Sequence, residues 1–336
     1  MKLHYPAEWE TQKTVWFAFP HNEKNWQGEN RKRILEFYYN LIGIVSQFQT
    51  ASVLVQPDFS LPAEKKRLFS KAPFKPKFIR IETDDIWIRD YGPFFACNEK
   101  GREKIVQFVF NAWGEKFPPW EHDRLVPQKI AGKKRLAVKE YPFVLEGGAV
   151  EVNGEGLGIT TLPCLVGKNR NPKADIRKVE AAIREALGLE DLLVLPDGLC
   201  GDHTDGHIDN VARFVSPTRV AVAWEADQSK PNFKRLLRNR TILETWLKRH
   251  YGETASVDPL QIPTQRKLGH STLPASYMNF IFLNGALVFP KYEEPFDSEA
   301  EAYFAKVFPK RKIIGIDCSC VIREGGSLHC LSKQEN

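Results

Sequence analysis

The 336-residue chain has too little cysteine for a disulfide scaffold, only two methionines and no long apolar run. Its six cysteines, Cys97, Cys164, Cys200, Cys318, Cys320 and Cys330, are scattered and include no C-x-x-C pair. A small cross-linked secreted fold is therefore excluded, and Cys318-Ser319-Cys320 makes a poor half-site for zinc. Nothing approaches the ~18–20 uninterrupted apolar residues of a membrane helix. The most apolar run, Phe280 to Phe289, is broken by Asn284 and Gly285. The first residues, MKLHYPAEWE, lack the apolar core of a signal peptide, so a reduced, cytoplasmic protein is expected. Neither G-x-G-x-x-G nor G-x-x-x-x-G-K-[ST] occurs, which removes support for the nucleotide-binding α/β folds. No basic block stands out either. The net charge of +6 comes from 48 Lys+Arg interspersed with 42 Asp+Glu, which does not argue for nucleic acid as a partner. Low-complexity and Gly/Ser linkers are absent, and no domain boundary announces itself.

What is present is a globular composition, 42% apolar and 27% charged, with short strands alternating with amphipathic helices. Residues 51–55, 104–110, 211–215, 220–224 and 286–289 read as strands. Residues 31–48 read as a helix, with Ile34, Phe37, Leu41, Ile44, Val45 and Phe48 near 3.6 spacing. Residues 175–187, 234–251 and 298–308 are the other clear helices, with Asp175 and Ser298 as N-caps and Gly188 and Gly252 as stops. The alternation predicts an α/β fold.

Four clusters combine reactive side chains with glycines or turns beside apolar strands, where sites usually sit. They are Asp84 to Pro93, Leu145 to Glu151, Gly201 to Asn210 and Arg323 to Cys330. Cys330 follows closely on Gly325-Gly326; a free cysteine is commonly a small buried hydrophobe, but glycines also let backbone approach a ligand. His203 and His207 would share a face if their segment were helical, as a metal site needs, yet Gly201, Gly206 and three aspartates speak against helix. In a strand from Gly206, His207 and Asp209 would point the same way, which suits acid–base work. A solvated acidic loop is the plain alternative. Arg89 most simply pairs with Asp85 or another acid, and Glu146 before two glycines is weak evidence alone. Together, one Cys, a His with an Asp, and two further acids exceed what a Cys–His protease needs. Carboxylates around a thiol suit a planar guanidinium, which they bind bidentately and hold in its electrophilic cationic form.

These residues carry a pattern that resembles the agmatine deiminase family, grouped with the bacterial peptidyl-arginine deiminases in the guanidine-modifying (pentein) superfamily. The resemblance spans nearly the whole chain. It runs from Pro6-Ala7-Glu8-Trp9-Glu10, Thr14-Val15-Trp16 and Pro20-His21-Asn22 through Trp87 to Pro93 and Phe110 to Gly114. It continues in Glu146-Gly147-Gly148, Thr204 to Asn210, Leu273 to Tyr277, Asn284-Gly285-Ala286 and Gly325 to Cys330.

The resemblance implies a single domain over residues 1–336, a five-bladed α/β propeller of ββαβ-type units around a pseudo-fivefold axis. It implies Cys330 as nucleophile, His207 as general acid/base, and Asp90, Glu146 and Asp209 as the surrounding acids, with Trp87 as an aromatic wall. Asp90 and Asp209 would also bind substrate, joined by His203 and Asp205 at its far end. Where the resemblance leads one to expect an acid for the distal amine, His203 stands; Glu324 replaces a third glycine, and Ser332-Lys333-Gln334 replaces Thr-Gln-Gln. No metal or organic cofactor is implied, and the expected partners are a small cationic guanidine and a second copy in a homodimer, with no membrane. Agmatine hydrolysis to N-carbamoylputrescine and ammonia, a step toward polyamines, is the first expectation. Free or peptidyl arginine is the alternative substrate. A metal-dependent hydrolase using His203, His207, Asp205 and Asp209, and a non-catalytic binding protein, are the other classes.

Overall fold

In the computed structural model, residues 3–98, 100–265, 267–268 and 271–336 are described. Strands Phe94–Asn98 and Glu103–Val109 pair antiparallel; helix Val126–Lys134 then crosses over, and Val138–Val144 returns parallel to the second strand. The same order recurs in Val150–Val152, Leu157–Thr161, helix Ile176–Leu187 and Asp191–Leu195. It recurs again in Ala212–Ser216, Arg219–Trp224, helix Pro231–Tyr251 and Ser256–Gln261. A fourth copy is Ile281–Leu283, Ala286–Lys291, helix Phe296–Val307 and Lys312–Asp317. The last such sheet joins the two ends of the chain. Lys333–Glu335 pairs antiparallel with Thr14–Ala18, helix Gly28–Val45 crosses over, and Thr50–Val55 follows in parallel. The fold is thus mixed α/β, built of small sheets. A parallel return needs a crossover, and in each case an amphipathic helix supplies it.

Helix Gly28–Val45 shows why: Ile34, Phe37, Leu41, Ile42 and Val45 are buried on one face. Each such side chain contributes roughly 1.5–3 kcal/mol on full burial. Asp175 caps its helix as expected, accepting from Arg177 N at 3.0 Å, and Gly188 ends it at φ 72°. Ser298, expected as an N-cap, lies inside the helix that starts at Phe296. Its hydroxyl donates to Glu294 at 2.6 Å, so the cap signal was satisfied by a side chain one turn earlier. The apolar stretch 280–289 is a hairpin, with Asn284-Gly285 as its two-residue turn and Gly285 at φ 84°. No helix among the described residues is long and apolar enough to cross a membrane.

Candidate active site

Five short turns, each just ahead of the first strand of one sheet, hold the polar residues of interest. Asp90 lies on Ile88–Tyr91 before Phe94–Asn98, and Glu146 precedes the 3-10 turn Gly147–Ala149 before Val150–Val152. His207 and Asp209 flank Ile208 in the turn before Ala212–Ser216, Asn279 precedes Ile281–Leu283, and Cys330 precedes Lys333–Glu335. The strand expected from Gly206 does not form. A 3-10 turn, Ile208–Asn210, replaces it, because Gly206 at φ 124° and Asp205 at φ 73° break the extended chain. His207 and Asp209 nevertheless reach the same place. A methyl group at Gly148 would sit 2.7 Å from His207 Nδ1, 2.8 Å from Asp90 Oδ1 and 3.0 Å from Asp209 Oδ2. Only glycine lets these three side chains converge over the backbone.

Asp90 accepts from Gly148 N at 2.8 Å and from Trp113 Nε1 at 2.9 Å, and faces His207 Nδ1 at 3.7 Å. Trp113 reaches it from a left-handed turn, with Ala112, Trp113, Gly114 and Glu115 at φ 50°, 57°, 89° and 63°. Left-handed backbone costs non-glycine residues roughly 1–2 kcal/mol each, and such strain gathers at functional sites. Glu146 Oε1 is held by Arg170 Nε at 2.7 Å, while Oε2 stands 4.0 Å from His207 Nε2 without a hydrogen bond. Among the described residues, neither His207 nitrogen has a hydrogen-bond partner, nor does Asp209 Oδ1. Cys330 Sγ accepts from Asn279 Nδ2 at 3.3 Å and donates toward Asp209 Oδ2 at 3.7 Å. All of these side chains are buried. A cluster of buried, unsatisfied polar atoms is costly, and a bound ligand is the usual explanation.

Asp90 and Cys330 line a cavity of about 280 Å³. Trp87 and Trp113 form walls, and the Trp87 ring lies against Gly326, where a Cβ would come within 2.4 Å of it. Asp84, Asp85, Lys116, His203 and Glu324 surround the mouth. Asp205, expected beside a substrate's far end, is instead engaged by Arg170 and Lys116 (2.6 Å from Lys116), and Lys116 also donates to His203 O at 3.0 Å. His203 lines the mouth with its ring against Gly325.

Burial, then the charges of Asp209 and Asp90, push the Cys330 thiol well above its ordinary pKa. Burial raises Asp90 to about 6, with Asp209 and Glu146 adding to the shift and His207 opposing it. Burial opposes charge on His207, but Asp90, Asp209 and Glu146 outweigh it and raise its pKa. Asp209 is lowered: burial works against this, and the His329 hydrogen bond and the charges of His329, His207 and Arg213 overcome it.

Several residues of the site were not read from the sequence. Arg89 pairs with an acid as expected, but the acid is Glu8, at 3.6 Å, which the sequence did not single out, and it donates to Gln334 at 2.7 Å. Arg170, Asn279 and His329 support Glu146, Cys330 and Asp209. Position gave a usable signal for Asn279, which precedes its strand as the other four sets precede theirs. His203 and His207 share no helix, and among the described residues no three His, Cys, Asp or Glu side chains are arranged to hold a metal ion.

Fold and site together define a mixed α/β hydrolase whose thiol sits among carboxylates and an imidazole at the floor of an aromatic-walled pocket. The chain belongs to the Porphyromonas-type peptidyl-arginine deiminase family, whose model matches residues 4–335. It is 33% identical over 358 residues to an agmatine deiminase of Ectopseudomonas mendocina, covering 99% of this chain and 95% of that one. Its structure is similar to a cysteine-to-serine variant of C. jejuni agmatine deiminase with substrate bound, at TM-score 0.88 and 30% identity. It is also similar to the agmatine deiminase of Enterococcus faecalis, at TM-score 0.89 and 29% identity. Both matches cover 99% of this chain and 96% of the other.

Proposed function

We propose that this chain hydrolyses agmatine to N-carbamoylputrescine and ammonia through a covalent thiouronium on Cys330. The observation that carries this reading is the buried Cys330 thiol 3.7 Å from Asp209 Oδ2, sharing the cavity lining with Asp90, which in turn faces the buried His207 at 3.7 Å. The guanidinium lies against Asp90 and Asp209, and Glu146 Oε2 completes its surroundings. Its single positive charge offsets one of the two carboxylate charges that hold the thiol protonated, so substrate binding favours loss of the thiol proton to solvent and the thiolate form. The sulfur attacks the central carbon; His207 protonates the departing nitrogen and ammonia leaves. His207 then takes a proton from water, which attacks the thiouronium carbon, and the C–S bond breaks to release the ureido product. This chemistry needs no metal or organic cofactor.

The mouth supports agmatine over arginine. The one lysine or arginine among the described lining residues, Lys116, is tied to Asp205, which leaves an α-carboxylate no free cation there. The Glu324 carboxylate has no hydrogen bond or ion pair among the described residues. Burial, and to a lesser degree Glu324, raises Asp85 to about 7, as expected where a counter-cation is wanting. We assign the distal ammonium to this pair. Glu324→Gln with Asp85→Asn is expected to raise the agmatine KM by about tenfold, roughly 1.4 kcal/mol, with kcat little changed. An unchanged KM would remove the pair from recognition.

Ureido-product formation from agmatine, free arginine and a peptidyl-arginine, with and without a chelator, tests the reading. No turnover of agmatine, or activity lost to the chelator and restored by metal, would overturn it. With agmatine, kcat/KM is expected to fall about tenfold per pH unit below pH ~6 as Asp90 protonates. The same proposal includes the five-bladed α/β propeller. The repeated strand order supports it, with the pairing of Lys333–Glu335 and Thr14–Ala18 as the closure. It also includes a single domain, a cytoplasmic location, consistent with six unpaired cysteines, and a homodimer that sedimentation would read.

A further inference from the structure

His329 precedes the nucleophile in sequence, yet its side chain points away from the substrate pocket's lining and into the protein. It is 1% exposed, with Nδ1 2.7 Å from Asp209 Oδ2 and Nε2 2.8 Å from Glu8 Oε2. Each contact joins a ring nitrogen to a carboxylate oxygen, so each needs one hydrogen. Asp209, His329 and Glu8 therefore share two protons among three groups and carry one net negative charge. Glu8 is fixed from behind: Arg213 Nη2 donates to Oε2 at 2.8 Å, Phe282 N donates to Oε1 at 3.0 Å, and Arg89 lies 3.6 Å away. Arg213 is itself anchored by Glu151 at 3.0 Å and by the carbonyls of Met278 and Phe280. The line ends at the reacting thiol, because Asp209 Oδ2 is also the oxygen that Cys330 Sγ faces.

We propose that His329, backed by Glu8, is a positioning residue that fixes Asp209 with Oδ2 engaged and Oδ1 left free for the substrate cation, and keeps it ionised at the pH of turnover. Among the described residues Asp209 Oδ1 has no hydrogen-bond partner, as this arrangement requires. Without the imidazole, Asp209 would face burial and the charge of Asp90 with fewer opposing groups. The charged and titratable groups around the trio are Arg213, Arg89 and Lys333 behind it, Glu151 beyond Arg213, and His207, Asp90 and Cys330 toward the pocket. Of these, His207 stays protonated and Cys330 stays a thiol across the acid range; Asp85 at the distal ammonium, raised to about 7, is already neutral below pH 6, which leaves Asp90 and Asp209 to shape the limb between pH 5 and 6.

The inference rests on the proposed deiminase reading, and the experiment separates the two. Log kcat/KM for agmatine is measured from pH 4.5 to 9 in the wild type, His329→Gln and Glu8→Gln, with melting temperatures alongside. The wild type is expected to lose activity with slope one between pH 5 and 6, because Asp90 alone protonates there. In His329→Gln the limb should move up by about one pH unit and steepen toward slope two, with KM rising about tenfold; Glu8→Gln should shift it the same way by less. A merely structural role would lower the melting temperature and leave the limb in place, and that outcome overturns the proposal. A wild-type slope of two also overturns it, and needs no variant to fold. If the wild type turns over no guanidine, both readings fall; if it does and both variants keep the wild-type limb, only this one falls.

Discussion

Cys330→Ser is expected to lower agmatine turnover by at least about 10⁴-fold while the protein stays folded. The side chain is 4% exposed, and its polar contacts include an amide donor, Asn279, and a carboxylate, Asp209, both of which a hydroxyl satisfies. The serine hydroxyl is far less acidic than a thiol, so the pocket that already resists a thiolate resists an alkoxide more. Acid-quenched wild type should carry a covalent adduct on Cys330, visible by intact mass, and the variant should carry none. Neutral alkylating reagents should label Cys330 slowly at neutral pH, because burial and two carboxylates keep it protonated. An amidine-bearing alkylator of similar reactivity should label it much faster, since it brings the missing positive charge. Turnover of Cys330→Ser at wild-type rates would take Cys330 out of the reaction.

The sequence carried the parts of this site whose chemistry is local. Cys330, His207, Asp209, Asp90 and Glu146 each stand next to glycines or in a turn ahead of an apolar strand, and such a pattern is visible along the chain. Helices such as Ile176–Leu187 were legible for the same reason, because a cap, an apolar period and a stop are all local. What was hidden is what the sheets bring together. Glu8 and His329 are 321 residues apart, and nothing local to either announces a 2.8 Å contact. The resemblance places Asp205 at the substrate's far end. Its role is set by Arg170 and Lys116, which reach it from other segments. The recurrent strand order is implied by the family resemblance and not by the residue pattern, since each copy uses different residues, and one copy is split between the chain's two ends.

Replacing His207 by Asn should have the second-largest effect, lowering kcat by about 10²–10⁴-fold, the usual range for losing a general acid. Stability should respond with a definite sign. The folded-state pKa of His207 is raised above its unfolded value of about 6.5 by Asp90, Asp209 and Glu146, against burial. Its charged form therefore stabilises the fold fully below pH ~6.5, and this contribution is lost as pH rises through the folded-state pKa. The deficit of His207→Asn relative to wild type should be largest near pH 6 and shrink by pH 9. Melting curves across that range check it; a deficit that grows with pH would reverse the charge assignment. At high pH the wild type keeps a neutral ring with two buried nitrogens and no protein partner for either, an arrangement that adds nothing to stability. A side chain that stabilises the fold only when charged, and whose ring has no hydrogen-bond partner among the described residues, is explained by what it does to a ligand. Asp209 Oδ1 and Glu146 Oε2, by contrast, are acceptors, and these two carboxylate oxygens outline the cation that would satisfy them.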